Sequence, residues 1–96
     1  MVYLICYDVA TDTKQGRRRL RRIAQACKDY GQRVQKSVFE CRLSATDWVR
    51  LRARLLSEMD ASEDSLRVYL LDQTAVARVE HYGIAKPPDL DGLLVV

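Results

Sequence analysis

An unbroken apolar run, Val2-Tyr3-Leu4-Ile5-Cys6-Tyr7, ends on Asp8 within the first eight residues. A run of this kind reads as a central strand covered on both faces. Its terminal carboxylate cannot enter the core alone, because burying an unpaired charge is costly. Three fates are open to it: a partner cation, a cap on backbone amides, or a bound metal ion. A short loop, Val9 to Asp12, leads from Asp8 to a helix that opens Arg17-Arg18-Arg19-Leu20-Arg21-Arg22. Guanidiniums at that density suit a polyanion. A phosphodiester backbone meeting a chain with one carboxylate to spare is the reading that joins the two features.

Charge is spread unevenly along the 96 residues, whose net charge is +3. Residues 14–54 carry thirteen Lys and Arg against three Asp and Glu, whereas residues 55–96 carry three against eight. A basic half beside an acidic half points to nucleic acid on one surface and to a basic partner or a symmetry mate on the other. Arginine outnumbers lysine twelve to four, and its planar fork matches phosphate oxygens better than a point charge does. A solvated helix face would carry the same residues, so charge alone leaves both readings open. The opening apolar run lacks a basic leader, and no stretch approaches the roughly 18 apolar residues of a membrane span. Cys6, Cys27 and Cys41 sit in apolar patterns without zinc-site spacing, which suits core thiols in a reducing cytoplasm. His81, the one histidine, reads as a surface residue rather than a general base.

Thr11, Asp12 and Thr13 are candidate caps for the first helix. Leu20, Ile23, Ala24 and Cys27 form its apolar stripe, and Gly31 offers a left-handed stop. On a helical wheel Arg18, Arg21, Arg22 and Gln25 lie opposite the stripe, while Arg17, Arg19 and Lys28 flank it. Arg33 to Leu43 reads as extended, with Val34 and Val38 alternating with Lys36 and Glu40 on one side and Gln35, Ser37, Phe39, Cys41 and Leu43 on the other. Its length suits a hairpin of two short strands, yet no Gly, Pro, Asn or Asp marks a turn, so break and register stay open. Ser44 to Asp47 resembles a capping box, and Trp48, Leu51, Leu55 and Met59 then follow one helical face toward a core. After a polar loop from Ser62 to Ser65, Leu66 to Leu71 forms a strand. Val76 to Tyr82 is expected as a short edge strand and Leu93 to Val96 as a final one.

This order predicts an α+β, ferredoxin-like βαββαβ domain over residues 1–82, with helices on one face of an antiparallel sheet. The strands stay apolar on both sides, so the second face is expected to meet its like in a face-to-face homodimer. Residues 83–96 are expected to form a loop and strand packing on the dimer partner, although the chain's own sheet edge could take the strand instead.

Tyr7-Asp8-Val9, the arginine-rich helix, Arg33-Val34-Gln35-Lys36-Ser37-Val38-Phe39-Glu40 and Asp64-Ser65-Leu66-Arg67-Val68-Tyr69 together resemble the second CRISPR-associated adaptation protein family, Cas-two. The ending Pro88-Asp89-Leu90-Asp91-Gly92-Leu93 is similar to the tail of part of that family. The resemblance implies homodimers that work in spacer acquisition, bound between dimers of the CRISPR integrase, with a basic surface holding DNA. It also implies a metal-dependent endonuclease on RNA or double-stranded DNA, using Mg²⁺ or Mn²⁺, with activity that varies across the family. On that likeness Asp8 matches the catalytic, metal-binding aspartate and Tyr7 its neighbour. Arg17 matches an arginine just downstream, and Arg33, Ser37 and Phe39 match nucleic-acid or active-site positions. Arg18, Arg21 and Arg22 join Arg17 and Arg33 as expected nucleic-acid contacts. Gln15 departs from the pattern, standing where some nucleolytic members carry another arginine.

One carboxylate is a poor magnesium site, since the ion takes octahedral oxygen ligands. Two copies of Asp8 across a two-fold axis, with waters and substrate phosphate, would complete one. Beside the nuclease stand a non-catalytic dimeric adaptor that bridges integrase subunits and holds protospacer DNA, and a toxin-type ribonuclease of related fold. An RNA-binding module shares the topology, but no strand carries the paired aromatics that such modules stack on bases.

Overall fold

Asp8 closes the first of the four strands among the described residues, which are arranged around that strand. The computed structural model describes residues 1–84. Along the chain these form β1 (Val2–Asp8), α1 (Lys14–Tyr30), β2 (Gln32–Gln35), β3 (Val38–Arg42), α2 (Ala45–Glu58), β4 (Ser65–Leu71) and α3 (Gln73–Ala77). The sheet runs β2-β3-β1-β4 with every neighbour antiparallel. The apolar run of β1 is therefore central, and the ferredoxin-like βαββαβ order is the observed one. No described helix is long and apolar enough to cross a membrane.

Strand alternation sorts β1 into two sets. Tyr3, Ile5 and Tyr7 point at the helices, and Cys41 and Phe39 stand opposite Tyr3 and Ile5 on β3. With Ile23, Ala26 and Cys27 of α1 and Leu51 and Leu55 of α2 they make the core. Leu4 and Cys6 face the other way, beside Val38, Tyr69 and Leu71, and Tyr69 keeps 45% of its surface exposed. Trp48 is half-buried and stacks on Tyr3, ring centroids 4.7 Å apart, fastening α2 to β1 from the rim.

Two details depart from the sequence expectations, and the hairpin break that the sequence left open has its place. Gly31 ends α1 in extended backbone (φ −164°, ψ −160°) rather than in the left-handed region. Close approach is what requires glycine there: a Cβ would lie 2.8 Å from the Cys41 Cα and overlap both the Cys41 Sγ and the Glu40 carbonyl oxygen. The hairpin breaks at Lys36-Ser37, with Arg33 opposite Phe39, Gln35 opposite Val38 and an irregularity between Arg33 and Gln35. No non-glycine residue among those described has positive φ, so the bulge takes up the twist that a glycine turn would otherwise supply. Val76 to Tyr82 is not an edge strand. Asp72 Oδ1 accepts from the Ala75 N–H at 2.8 Å and starts the short α3 instead. Of the 83–96 segment only Gly83 and Ile84 are described, and the expected final strand lies outside the described residues.

Candidate metal-binding edge and nucleic-acid interface

Asp8 is exposed at the end of β1, opposite Ser65 of β4. It does not cap α1, and neither does Asp12. Thr13 does, its Oγ1 accepting from the Gly16 N–H at 3.0 Å. Among the described residues the Asp8 carboxylate takes no hydrogen bond and no ion pair. Of the three fates open to such an acid, the cap is removed. Nor do three metal-ligating side chains gather in any one place among the described residues, so the described part of one chain offers Asp8 without a cluster of further ligands.

The surroundings of Asp8 are held by a residue the sequence reading passed over. The Asp64 side chain is fully buried and accepts from Arg19 Nε at 2.8 Å, the Asp60 N–H at 2.9 Å and the Ala10 N–H at 3.2 Å. It thus ties the loop after Asp8 to the turn before Ser65, and the two strands that flank the site end in register. Gly16 brings the first turn of α1 against the same loop, where a Cβ would overlap the Ala10 carbonyl oxygen. The bond from Arg19, which opposes the cost of burial, holds the Asp64 carboxyl below the usual carboxylate range. A depressed folded-state pKa contributes stability that is present above the unfolded value of about 4 and is lost as pH falls through the folded one. Asp64→Ala leaves two loop amides and a half-buried guanidinium without their acceptor, and is expected to lower unfolding free energy by about 3 kcal/mol. Urea melts at pH 7 check this, and a loss under about 1 kcal/mol would mean water replaces the carboxylate. Asp64→Asn should flatten the acid limb of the stability profile.

Strand alternation puts Tyr7 on the opposite side of the sheet from Asp8. Tyr7 lines a cleft of about 350 Å³ with Leu20, Arg21, Ala24, Arg33, Lys36 and Ser37. Its hydroxyl donates a long 3.4 Å bond to the Lys36 carbonyl. Burial, aided by the nearby Cys27 thiol and opposed by Arg33, raises the Tyr7 hydroxyl above its ordinary value, which keeps it a donor. Arg33 lies over the Phe39 ring at 5.1 Å, and Phe39 also stacks on Tyr7 with centroids 6.2 Å apart. Phe39 itself has no exposed surface, so it supports Arg33 from beneath and touches nothing outside the core. Burial pushes the Cys27 and Cys41 thiols up to about 12, which leaves neither as a nucleophile at neutral pH.

On α1, Arg18, Arg21 and Arg22 are exposed where the wheel puts them. Arg22 also reaches Glu58 of α2 at 3.5 Å, and Arg17 Nη1 donates to the Thr11 carbonyl at 3.2 Å. Arg18, Arg19, Arg22, Gln15 and Glu58 line a second shallow cleft of about 360 Å³ between the two helices. The expected residues therefore divide into three places: Asp8 at the strand edge, Tyr7, Arg21, Arg33 and Ser37 around the helix-side cleft, and Arg17, Arg18 and Arg22 along the outer face of α1.

Residues 1–79 match the family described as CRISPR associated protein Cas2. The CRISPR-associated endoribonuclease Cas2 of Chlorobaculum tepidum is 55% identical over 96 residues, the whole of both chains. A crystal structure of Streptococcus pyogenes Cas2 superposes with a TM-score of 0.78 at 48% identity, covering 86% of this chain and 100% of that one. A chain of a partial Cas6-RT-Cas1–Cas2 complex superposes with a TM-score of 0.66 at 28% identity, covering 92% of this chain and 94% of its own.

Proposed function

This chain belongs to the CRISPR-associated Cas2 family, and we propose that it acts in spacer acquisition as a nucleic-acid-binding homodimer with metal-dependent endonuclease activity at Asp8. One observation carries the reading: an exposed, uncapped carboxylate ends the central strand beside a helix whose outer face is arginine. The name of the Chlorobaculum relative, an endoribonuclease, supports phosphodiester hydrolysis as the reaction class. The arginines of α1 would neutralise substrate phosphates, and Asp64 would fix the loop that follows Asp8.

Mg²⁺ and Mn²⁺ take oxygen ligands and keep several waters, and Asp8, free of competing hydrogen bonds, is an oxygen ligand of the required kind. One per chain is too few, so the site is completed by a second copy. An ion held between two such carboxylates would supply Lewis-acid chemistry to the phosphodiester. The sheet face on which the half-buried Leu4, Cys6, Val38 and Leu71 stand beside Tyr69, Glu40 and Arg67 would pack on the same face of that second copy. Sedimentation at micromolar concentration is expected to return twice the 11.0 kDa chain mass. A clean monomer would remove the paired site with the dimer.

A second reading is favoured by the lone carboxylate and by the likeness to a chain from a Cas1–Cas2 assembly: a non-catalytic adaptor that joins integrase subunits and holds DNA. Incubating RNA and duplex DNA with the protein in Mg²⁺, Mn²⁺ or EDTA separates the two. Cleavage that EDTA stops supports the nuclease. Tight binding of DNA and integrase with no cleavage in any metal leaves the adaptor.

A further inference from the structure

Arg21, Arg33 and Lys36 meet in the helix-side cleft with the hydroxyls of Tyr7 and Ser37 and with no acidic residue in the lining. From this we propose that the cleft binds a phosphate monoester, the terminal phosphate of a nucleic-acid strand, as a site distinct from the Asp8 edge. The proposal rests on the nucleic-acid-binding reading above and specifies what part of the ligand the cleft takes.

Two independent observations point to an anion. Elsewhere in the described fold, half-buried cations have carboxylate partners: Arg19 has Asp64 and Glu63, and Arg54 has Asp29. Arg33 is half-buried like these and makes no ion pair among the described residues, while the exposed Arg21 and Lys36 add their charge to the same lining. The second observation is Arg33 Nε, which is buried and has no hydrogen-bond acceptor, although buried donors are nearly always satisfied. The Phe39 ring lies beneath the guanidinium, 5.1 Å from its Cζ. An oxyanion in the cleft supplies the missing acceptor once the guanidinium turns on that ring to present its Nε, which is closed to solvent as it stands.

Charge and shape select the kind of phosphate. Three cations and two hydroxyls exceed what the single charge of a diester needs, and they suit a dianion with three terminal oxygens. About 350 Å³, walled on one side by Leu20 and Ala24, accommodates one end nucleotide and not a duplex passing through. Because Tyr7 and Asp8 alternate across the sheet, a strand end lodged here leaves the Asp8 edge free for other contacts.

The test compares short duplexes with 5′-phosphate, 3′-phosphate or hydroxyl ends in anisotropy titrations at fixed salt, beside a nucleoside 5′-monophosphate followed by ³¹P line broadening. A phosphate end is expected to tighten binding about tenfold, the gain of one or two charge-assisted hydrogen bonds. Lys36→Gln, in an exposed turn, and Arg33→Gln should each erase that preference, with thermal melts confirming both folds. Equal affinity for every end, with no response of the mononucleotide that depends on Arg33 or Lys36, overturns the proposal. If hydroxyl-ended duplex still binds in that case, nucleic-acid binding as such survives. Arg33- and Lys36-dependent binding of the mononucleotide without binding of any duplex would keep the phosphate site and remove the nucleic acid.

Discussion

Asp8→Asn is expected to reduce divalent-ion-dependent cleavage by about a thousandfold or more, the several kcal/mol of charge stabilisation that a metal site gives a phosphodiester transition state. The substitution keeps the size and polarity of the side chain and removes the ligand charge. It should not disturb the fold, because the carboxylate is exposed and caps nothing. The remaining groups are poor substitutes. Cys27 and Cys41 are held as thiols, and the lone His81 lies beyond α3 with its Nε2 at 3.1 Å from the Ile84 carbonyl. His81→Ala is therefore expected to cleave normally. An Asp8→Asn protein that cuts at the wild-type rate, in EDTA as in Mg²⁺, would reduce Asp8 to an incidental surface acid. An Asp8→Asn protein that never cuts, beside a wild type that never cuts either, would favour the adaptor.

Replacing Arg18, Arg21 and Arg22 together by glutamate is expected to lower duplex affinity by more than about a thousandfold at low salt, through loss of phosphate neutralisation and added repulsion. All three are exposed on one helical face, so the fold should persist. The one local change is at Glu58, which would exchange an ion pair with Arg22 for a like charge. Wild-type affinity should fall with salt at a log–log slope of about −0.9 for each phosphate neutralised. The dependence should be similar for unrelated sequences, since phosphate contacts position a duplex without reading it. Binding that ignores salt, or that selects strongly among sequences, would place the interface elsewhere.

The arginine face of α1 could be read from the sequence because helix periodicity is local. Arg18, Arg21 and Arg22 needed only their spacing from Ile23 and Cys27. Arg19 flanks the apolar stripe as the wheel has it, but its partner, Asp64, is 45 residues away, and no local pattern joins them. Tyr7 and Asp8 are neighbours in sequence, and a period of two sends their side chains to opposite faces. The hairpin break at Lys36-Ser37 has no turn residue to mark it, and a register shift between Arg33 and Gln35 precedes it. The short α3 hid behind the β-branched Val76 and Val79, and the Asp72 cap was the signal that outweighed them. The Phe39 ring could be assigned to the core from its pattern. That it carries Arg33 on its face depends on a hairpin register that the sequence left open.

The clasp made by Asp64 also sets how this end of the molecule breathes. Loop amides ordinarily exchange their protons with solvent within the time of mixing, since loops open at almost no cost in free energy. Two loop amides here, those of Ala10 and Asp60, instead end on one buried carboxylate. They can exchange only when Asp64 lets go, so both should share a single opening event, slowed together and released together as the acid is protonated. The strand end that presents Asp8 and the turn that launches β4 then behave as one cooperative unit, although Ala10 and Asp64 are 54 positions apart in the chain.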